Sequence, residues 1–253
     1  MIPLFDHHPS RTAPLVTRAL LYVNALGFLV QWWLERRGVT WIAAGYGWVP
    51  SRISADPVGE WYKALTALFL HADFAHLGWN LLFLHIFGDN VEARLGKARY
   101  LVFYLVSGVV AALAQFAIDP HSSVPMIGAS GAIAGVLGAY LVLYPRSPIA
   151  VVNPILPLWL FLGPLFSLPA WLVVGLWFIG NVFGGLASLS AVSSGGGVAF
   201  FAHLGGFIAG LLLVKPLLYG RAVATAERAG PSHAAPAPER RVFWKSDGRP
   251  FWK

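Results

Sequence analysis

Stretches of about twenty predominantly apolar residues recur along this chain, each long enough to cross the hydrocarbon core of a bilayer. The run Leu101–Ile118 carries no charge at all. A backbone in lipid must satisfy its own N–H and C=O groups, so runs of this kind fold as helices. Overall, 57% of the 253 residues are hydrophobic and 11% are charged, where a soluble domain carries about a quarter charged residues. The expected fold class is all-α, a polytopic membrane protein. Residues 1–14 lack an apolar h-region followed by a small-residue cleavage site, so no cleavable signal peptide is expected. The chain has no cysteine, which excludes disulfides, thiolate nucleophiles and cysteine metal sites.

Six spans are expected, at about 16–35, 74–93, 99–118, 128–145, 168–187 and 200–219. A short cytoplasmic N-terminus (1–15) precedes them and a basic tail (220–253) follows. The connection 36–73 is amphipathic and aromatic (Trp41, Tyr46, Trp48, Trp61, Tyr62), which suits a loop lying along the membrane interface. Residues 149–167 are apolar but interrupted by Pro154, Pro157 and Pro164. They read as an interfacial connection, with a partial seventh insertion as the alternative. With both termini inside, fourteen of the eighteen Lys and Arg fall on the inner side, leaving Arg36, Arg37, Arg52 and Lys63 outside. The positive-inside rule therefore favours cytoplasmic N- and C-termini.

This topology makes spans two, four and six all begin at the outer face. Span four opens with Ser130, span six with His203, and span two with His76 and Asn80. Four polar groups thus share one depth. A serine hydroxyl needs an adjacent base to become nucleophilic, and a neutral imidazole is such a base. On the helical repeat, Ala134 and Gly138 lie near the face of Ser130, flanked by Gly131 and Gly135, while Gly206 and Gly210 lie on the face of His203. Small residues let membrane helices approach closely, close enough for Oγ to meet an imidazole nitrogen. Ordinary packing stripes would look the same. His76 and Asn80, four residues apart on one face, can donate hydrogen bonds to a developing oxyanion, joined by the Ser130 backbone N–H. The competing reading is a polar pair that satisfies itself or lines a water-filled cavity.

Other polar residues are less telling. His85 lies about 180° round the helix from His76, facing away from the proposed site, and His71 reads as a brace for the loop. His71, His76, His85 and His203 form no recognised ligand spacing, so no metal is expected. No acidic residue is placed to orient His203 from its own helix, which makes the arrangement a Ser–His dyad whose imidazole depends on packing.

Taken in order, these motifs resemble the rhomboid family of intramembrane serine proteases, over roughly residues 60–212. The resemblance rests on Gly128-Ala129-Ser130-Gly131, on His203 followed by Gly206 and Gly210, and on His71, His76 and Asn80 within 69–80. Glu92-Ala93-Arg94-Leu95-Gly96 completes it. It implies a six-transmembrane-helix bundle with Ser130 as nucleophile and His203 as base and then acid. The oxyanion hole would be His76, Asn80 and the Ser130 N–H. It further implies a membrane-embedded first loop at 36–73, a mobile lateral gate in span five with Trp171 and Trp177, and a structural role for Glu92 and Arg94. Two departures stand out. Ala134 replaces the aromatic that often stacks on the histidine, so another side chain must brace His203 or activity is low. Tyr62-Lys63 stands where many members carry Trp-Arg, keeping an aromatic and a cation but losing the guanidinium fork.

The implied activity is serine endopeptidase cleavage of single-span membrane proteins whose helix unwinds near the outer leaflet, with no cofactor. The rival is a non-proteolytic rhomboid-like protein that binds or escorts transmembrane clients; client binding survives Ser130→Ala and proteolysis does not. A transporter is disfavoured by the absence of mid-membrane charge pairs and repeated spans. The tail is expected to be disordered. It holds seven Lys and Arg and repeats Phe-Trp-Lys at 243–245 and 251–253, a composition suited to anionic lipid headgroups or to a merely solubilising segment. The net charge of +7 owes much to this tail and does not argue for nucleic acid. The six-span form with a short N-terminus resembles bacterial members of the family, which implies a bacterial plasma membrane.

Overall fold

The computed structural model describes residues 2–7, 13–153, 159, 163–190, 199–219, 242–244 and 250–252. Long helices dominate: α1 (Leu15–Arg36), then four short helices α2 (Ile42–Tyr46), α3 (Pro50–Ala55), α4 (Pro57–Glu60) and α5 (Lys63–Thr66), then α6 (Phe74–Leu95) and α7 (Lys97–Ile118). After these come α8 (Ser130–Leu143), α9 (Ala170–Ser190) and α10 (Phe200–Leu218). Among the described residues four helices (α1, α7, α9 and α10) are long and apolar enough to cross a membrane. A fifth candidate is the pair 57–69 and α6, bent by 82°. The fourth expected span, 128–145, is shorter than predicted, because Gly128 takes φ +116° outside the helical region and Pro145 ends the run at its other side.

The all-α expectation needs one correction. Strands β1 (Ile2–Asp6), β2 (Pro148–Val152) and β3 (Leu165–Pro169) form an antiparallel three-stranded sheet in the order β1-β2-β3. Ile2 is opposite Val152 and Asp6 opposite Ile149, with an irregularity between Pro3 and Phe5. Five-residue strands carry too little periodicity to stand out beside membrane-length runs, and β1 finds its partner more than 140 residues away. The two outer ends of the 149–167 segment therefore belong to the sheet, while 154–158 and 160–162 lie outside the described residues. Asp6 ties the sheet to the helices, accepting hydrogen bonds from Asn90 Nδ2 (2.7 Å), Ser147 Oγ (2.8 Å) and the Tyr140 hydroxyl.

In the C-terminal unit, residues 218–253, strands β4 (Val242–Trp244) and β5 (Pro250–Trp252) pair antiparallel with Phe243 opposite Phe251. The two Phe-Trp repeats thus face one another along the backbone, and the rest of 220–253 lies outside the described residues.

Buried carboxylate chemistry fixes the start of α1. Glu92, on α6, accepts from the backbone N–H of Val16 (3.0 Å) and Thr17 (2.7 Å) and from Thr17 Oγ1 (2.8 Å). An anion at a helix N-terminus satisfies donors that have no intrahelical partner and meets the positive end of the dipole. Glu92→Ala is expected to destabilise the protein by about 3 kcal/mol, since hydrogen bonds to a charged acceptor are the strong ones. A thermal melt of the detergent-purified variant that matches the wild type would show that α1 does not depend on this cap.

Candidate active site

Helix α8 is buried on all sides from Gly131 to Tyr140, as a helix apolar all round should be. Its glycines allow neighbours to approach backbone to backbone. A Cβ built on Gly206 would stand 2.0 Å from the Gly131 carbonyl oxygen, and one on Gly210 2.0 Å from that of Gly135. The same glycines admit α7 alongside α10, for a Cβ on Gly131 would meet Ala111 and one on Gly135 would meet Ser107, both at 2.5 Å. This contact between α8 and α10 brings together the first residue of α8 and a first-turn residue of α10. Ser130 Oγ lies 2.8 Å from His203 Nε2. The start of α10 is tied to α7 by the Gln115 side chain, which accepts from Ala202 N–H at 3.3 Å.

The chain enters α8 through a segment held by the first loop. Trp48 and Met126 exchange backbone hydrogen bonds of 3.0 and 2.8 Å, and Gly128 N–H donates to the Ala67 carbonyl at 2.8 Å. Of the loop's expected interfacial aromatics, Trp41, Tyr46, Trp61 and Tyr62 are exposed, whereas Trp48 is buried against α7 with Ala112 and Phe116. Lys63 is also buried and pairs with Glu60 at 2.7 Å.

Gly128 lies against the histidine and asparagine of α6. A Cβ there would meet His76 Nε2 at 2.6 Å and Asn80 Nδ2 at 3.6 Å. Asp73 caps α6 by accepting from His76 N–H at 2.7 Å, which sets the first turn that carries His76. The Ala72 N–H points at His76 Nδ1 from 3.5 Å, and His76 Nε2 is the ring nitrogen turned toward Gly128. Asn80 is buried, and among the described residues its Nδ2 has no hydrogen-bond partner. A buried amide donor without a partner calls for an explanation. His76, Asn80, Ser130 and His203 line one cavity of about 960 Å³. Together they place a hydroxyl, an imidazole and two side chains able to donate hydrogen bonds at a single apolar-walled site, a set of groups that can support acyl transfer.

His71 packs edge-on against His76, with ring centroids 5.2 Å apart. His71 is fully buried and its backbone is clamped by Gln31, which donates to the His71 carbonyl at 2.9 Å and accepts from its N–H at 3.1 Å. His85 is exposed. Among the described residues no cluster of three or more His, Cys, Asp or Glu is placed to hold a metal ion. Two residues meet His203 in ways the sequence motifs did not signal: Asn181, which stands out by no motif, and Trp177, expected only as part of a lateral gate. Asn181 Oδ1 lies 2.6 Å from His203 Nδ1, and the Trp177 ring stands 5.7 Å from the imidazole, centroid to centroid, at 39°. Both are on α9, four residues apart. Ala134 is fully buried, and Trp177 occupies the bracing role expected of an aromatic there. Trp171 is exposed. An asparagine within an otherwise apolar run was the one available signal for this arrangement.

Comparison with known proteins bears on this site. The family model described as Rhomboid domain matches residues 58–220. The rhomboid protease GluP of Bacillus subtilis is 45% identical over 83 residues, covering 33% of this chain and 16% of that protein. Rhomboid-like protein 11, chloroplastic, of Arabidopsis thaliana is 34% identical over 154 residues, covering 61% of this chain and 51% of the relative. Inactive rhomboid protein 1 of Drosophila melanogaster is 32% identical over 91 residues, covering 36% of this chain and 6% of the relative. The chain therefore spans no more than about half the length of these relatives.

Proposed function

The chain belongs to the rhomboid family and is an integral, multi-pass membrane protein, and from this premise we propose that it is an intramembrane serine endopeptidase with Ser130 and His203 as its dyad. The observation that carries the reading is the 2.8 Å separation of Ser130 Oγ and His203 Nε2 in a cavity shared with His76 and Asn80. Ser130 Oγ attacks the scissile carbonyl carbon as its proton passes to His203 Nε2. The carbonyl electron pair moves onto oxygen, where the His76 Nε2–H, the Asn80 Nδ2–H and the Ser130 N–H donate to it. Collapse of this intermediate breaks the C–N bond, and the leaving amine takes the proton from Nε2. Water then hydrolyses the acyl-enzyme by the same route, with His203 again as base.

All six long helices cross the membrane in this reading, with both termini cytoplasmic and a bacterial plasma membrane as the setting. Helix α8, of 14 residues, rises only about 21 Å, less than the roughly 30 Å hydrocarbon core. The segment 119–129 accordingly makes up the outer part of that crossing, and Ser130 lies below the surface. Substrates are single-span membrane proteins whose helix unwinds near the outer face, because a carbonyl in full helical hydrogen bonding is shielded from attack. The seven Lys and Arg of 220–253 suit either anionic lipid headgroups or a solubilising tail.

Similarity to an inactive rhomboid relative favours a second reading, in which the protein holds transmembrane clients without cutting them. A fluorophosphonate probe separates the two. The endopeptidase reading expects a covalent adduct on Ser130, located by peptide mapping, that is lost in His203→Ala. No adduct on folded wild-type protein, across probes of several sizes, would transfer the assignment to client binding.

A further inference from the structure

His203 has two ring nitrogens, and a base for Ser130 must keep Nε2 unprotonated while the proton sits on Nδ1. The group that meets Nδ1 determines whether this holds. That group is Asn181 Oδ1, at 2.6 Å. An amide offers an acceptor or a donor depending on which way it is turned, and here its orientation is determined by a second contact. Asn181 Nδ2 donates to the Trp177 carbonyl, one turn earlier on α9, at 2.8 Å. With Nδ2 so engaged, the oxygen is the end presented to the imidazole, and an oxygen can only accept. His203 Nδ1 is then the donor, and Nε2 is left with its lone pair toward Ser130 Oγ.

From this geometry we infer that Asn181 is a positioning residue that selects the Nδ1–H tautomer of His203 and holds the ring in the plane needed to take the proton of Ser130. The inference rests on the reading of His203 as the base of Ser130. Asn181 is buried, so water does not compete effectively for Nδ1, and the hydrogen bond acts in a low-dielectric setting where it is stronger. During attack the proton leaving Oγ arrives at Nε2 and produces an imidazolium whose Nδ1–H still donates to Asn181 Oδ1. No proton moves onto the amide. Trp177 packs on the same imidazole and on Phe207 of α10, so the base is aligned by two residues one turn apart on α9. Neither lies on the helix of the serine nor on that of the histidine.

The test uses the full-length protein in detergent or liposomes with the fluorophosphonate probe and a single-span membrane substrate. Asn181→Leu, close in volume but without an acceptor, is expected to lower the Ser130 labelling rate and kcat by on the order of 10²-fold, less than the roughly 10⁴-fold that a wrong tautomer costs where the orienting group is a carboxylate, because the neutral amide supplies orientation without charge. KM and the thermal midpoint are expected to stay within about twofold and a few degrees of wild type, since the residue acts on the chemical step. Asn181→Asp retains the acceptor oxygen and is expected to recover most of the loss. In protein labelled with 15N-histidine, the His203 resonances, identified by their absence in His203→Ala, are expected to report a protonated Nδ1 and an unprotonated Nε2 at neutral pH. This last measurement needs no Asn181 variant to fold. Wild-type labelling that Asn181→Leu leaves unchanged, or a His203 with its proton on Nε2, would overturn the inference. Wild-type protein that takes no probe would overturn the endopeptidase reading itself.

Discussion

Ser130→Ala and His203→Ala are each expected to lower cleavage of a membrane-embedded substrate by at least about 10⁴-fold, with the protein still folded. The size follows from how a serine–histidine pair works: the hydroxyl is a poor nucleophile unless its proton has somewhere to go, and the imidazole does nothing without the oxygen it activates. The two losses are therefore not additive, and the double variant should be no worse than either single one. Thermal midpoints should be almost unchanged, because the 2.8 Å contact between Oγ and Nε2 is one modest hydrogen bond between half-buried side chains. Co-reconstitution with a single-span substrate carrying helix-weakening residues near the outer face, followed by gel analysis of the products, measures the rate. Cleavage that persists in Ser130→Ala would exclude this serine as the nucleophile. Substrate retention by both the wild type and the variant, without any cutting, would mark the protein as a client binder.

Gly206→Ala is the second large expectation, and it acts without touching either member of the pair. The added Cβ would stand 2.0 Å from the Gly131 carbonyl oxygen. Because non-bonded Cβ contacts below 3.0 Å are essentially never seen, α10 must retreat from α8 by about 1 Å, and both atoms belong to rigid helical backbone. Ser130 is adjacent to Gly131, and His203 is one turn before Gly206. A retreat of that size stretches Oγ–Nε2 from 2.8 Å to nearly 4 Å, beyond hydrogen-bonding range. Misplacement of a reacting group by about 1 Å costs on the order of 10²-fold in rate, and overpacking costs about 1–3 kcal/mol in stability. Probe labelling and a thermal melt should therefore both move. A variant that labels Ser130 at the wild-type rate would show that the two helices can separate without parting the pair.

Several features of the site were readable in one dimension because each depends on a local rule. Ser130 stands at the start of an apolar run, so its place at a helix opening is a property of contiguous residues. His76 and Asn80 share a helical face by spacing alone, and the glycines of α8 and α10 announce close approach wherever they meet. The structural role expected of Glu92 also holds, since its carboxylate caps the start of α1. Asn181 was a different matter. Asn24 on α1 and Asn181 on α9 each return the amide N–H to the carbonyl four residues earlier, Leu20 at 2.7 Å and Trp177 at 2.8 Å. Locally they are equivalent. Only the second has an imidazole against its oxygen, and no property of its own helix signals that.

Contiguous residues fix the class of environment, the rough position of the long helices and the polar groups available at their ends. Apolar run length and polar placement are properties of contiguous residues, and lipid leaves such runs little choice but to be helical. The three-dimensional fold sets which surfaces face one another. It paired Ile2–Asp6 with Pro148–Val152 into a sheet, set Trp177 where Ala134 offers no ring, and brought Asn181 to His203. Each of these depends on the angle and distance between elements far apart in the chain. Periodicity defines the face a helix presents, but the partner that meets that face is chosen by packing the whole bundle at once.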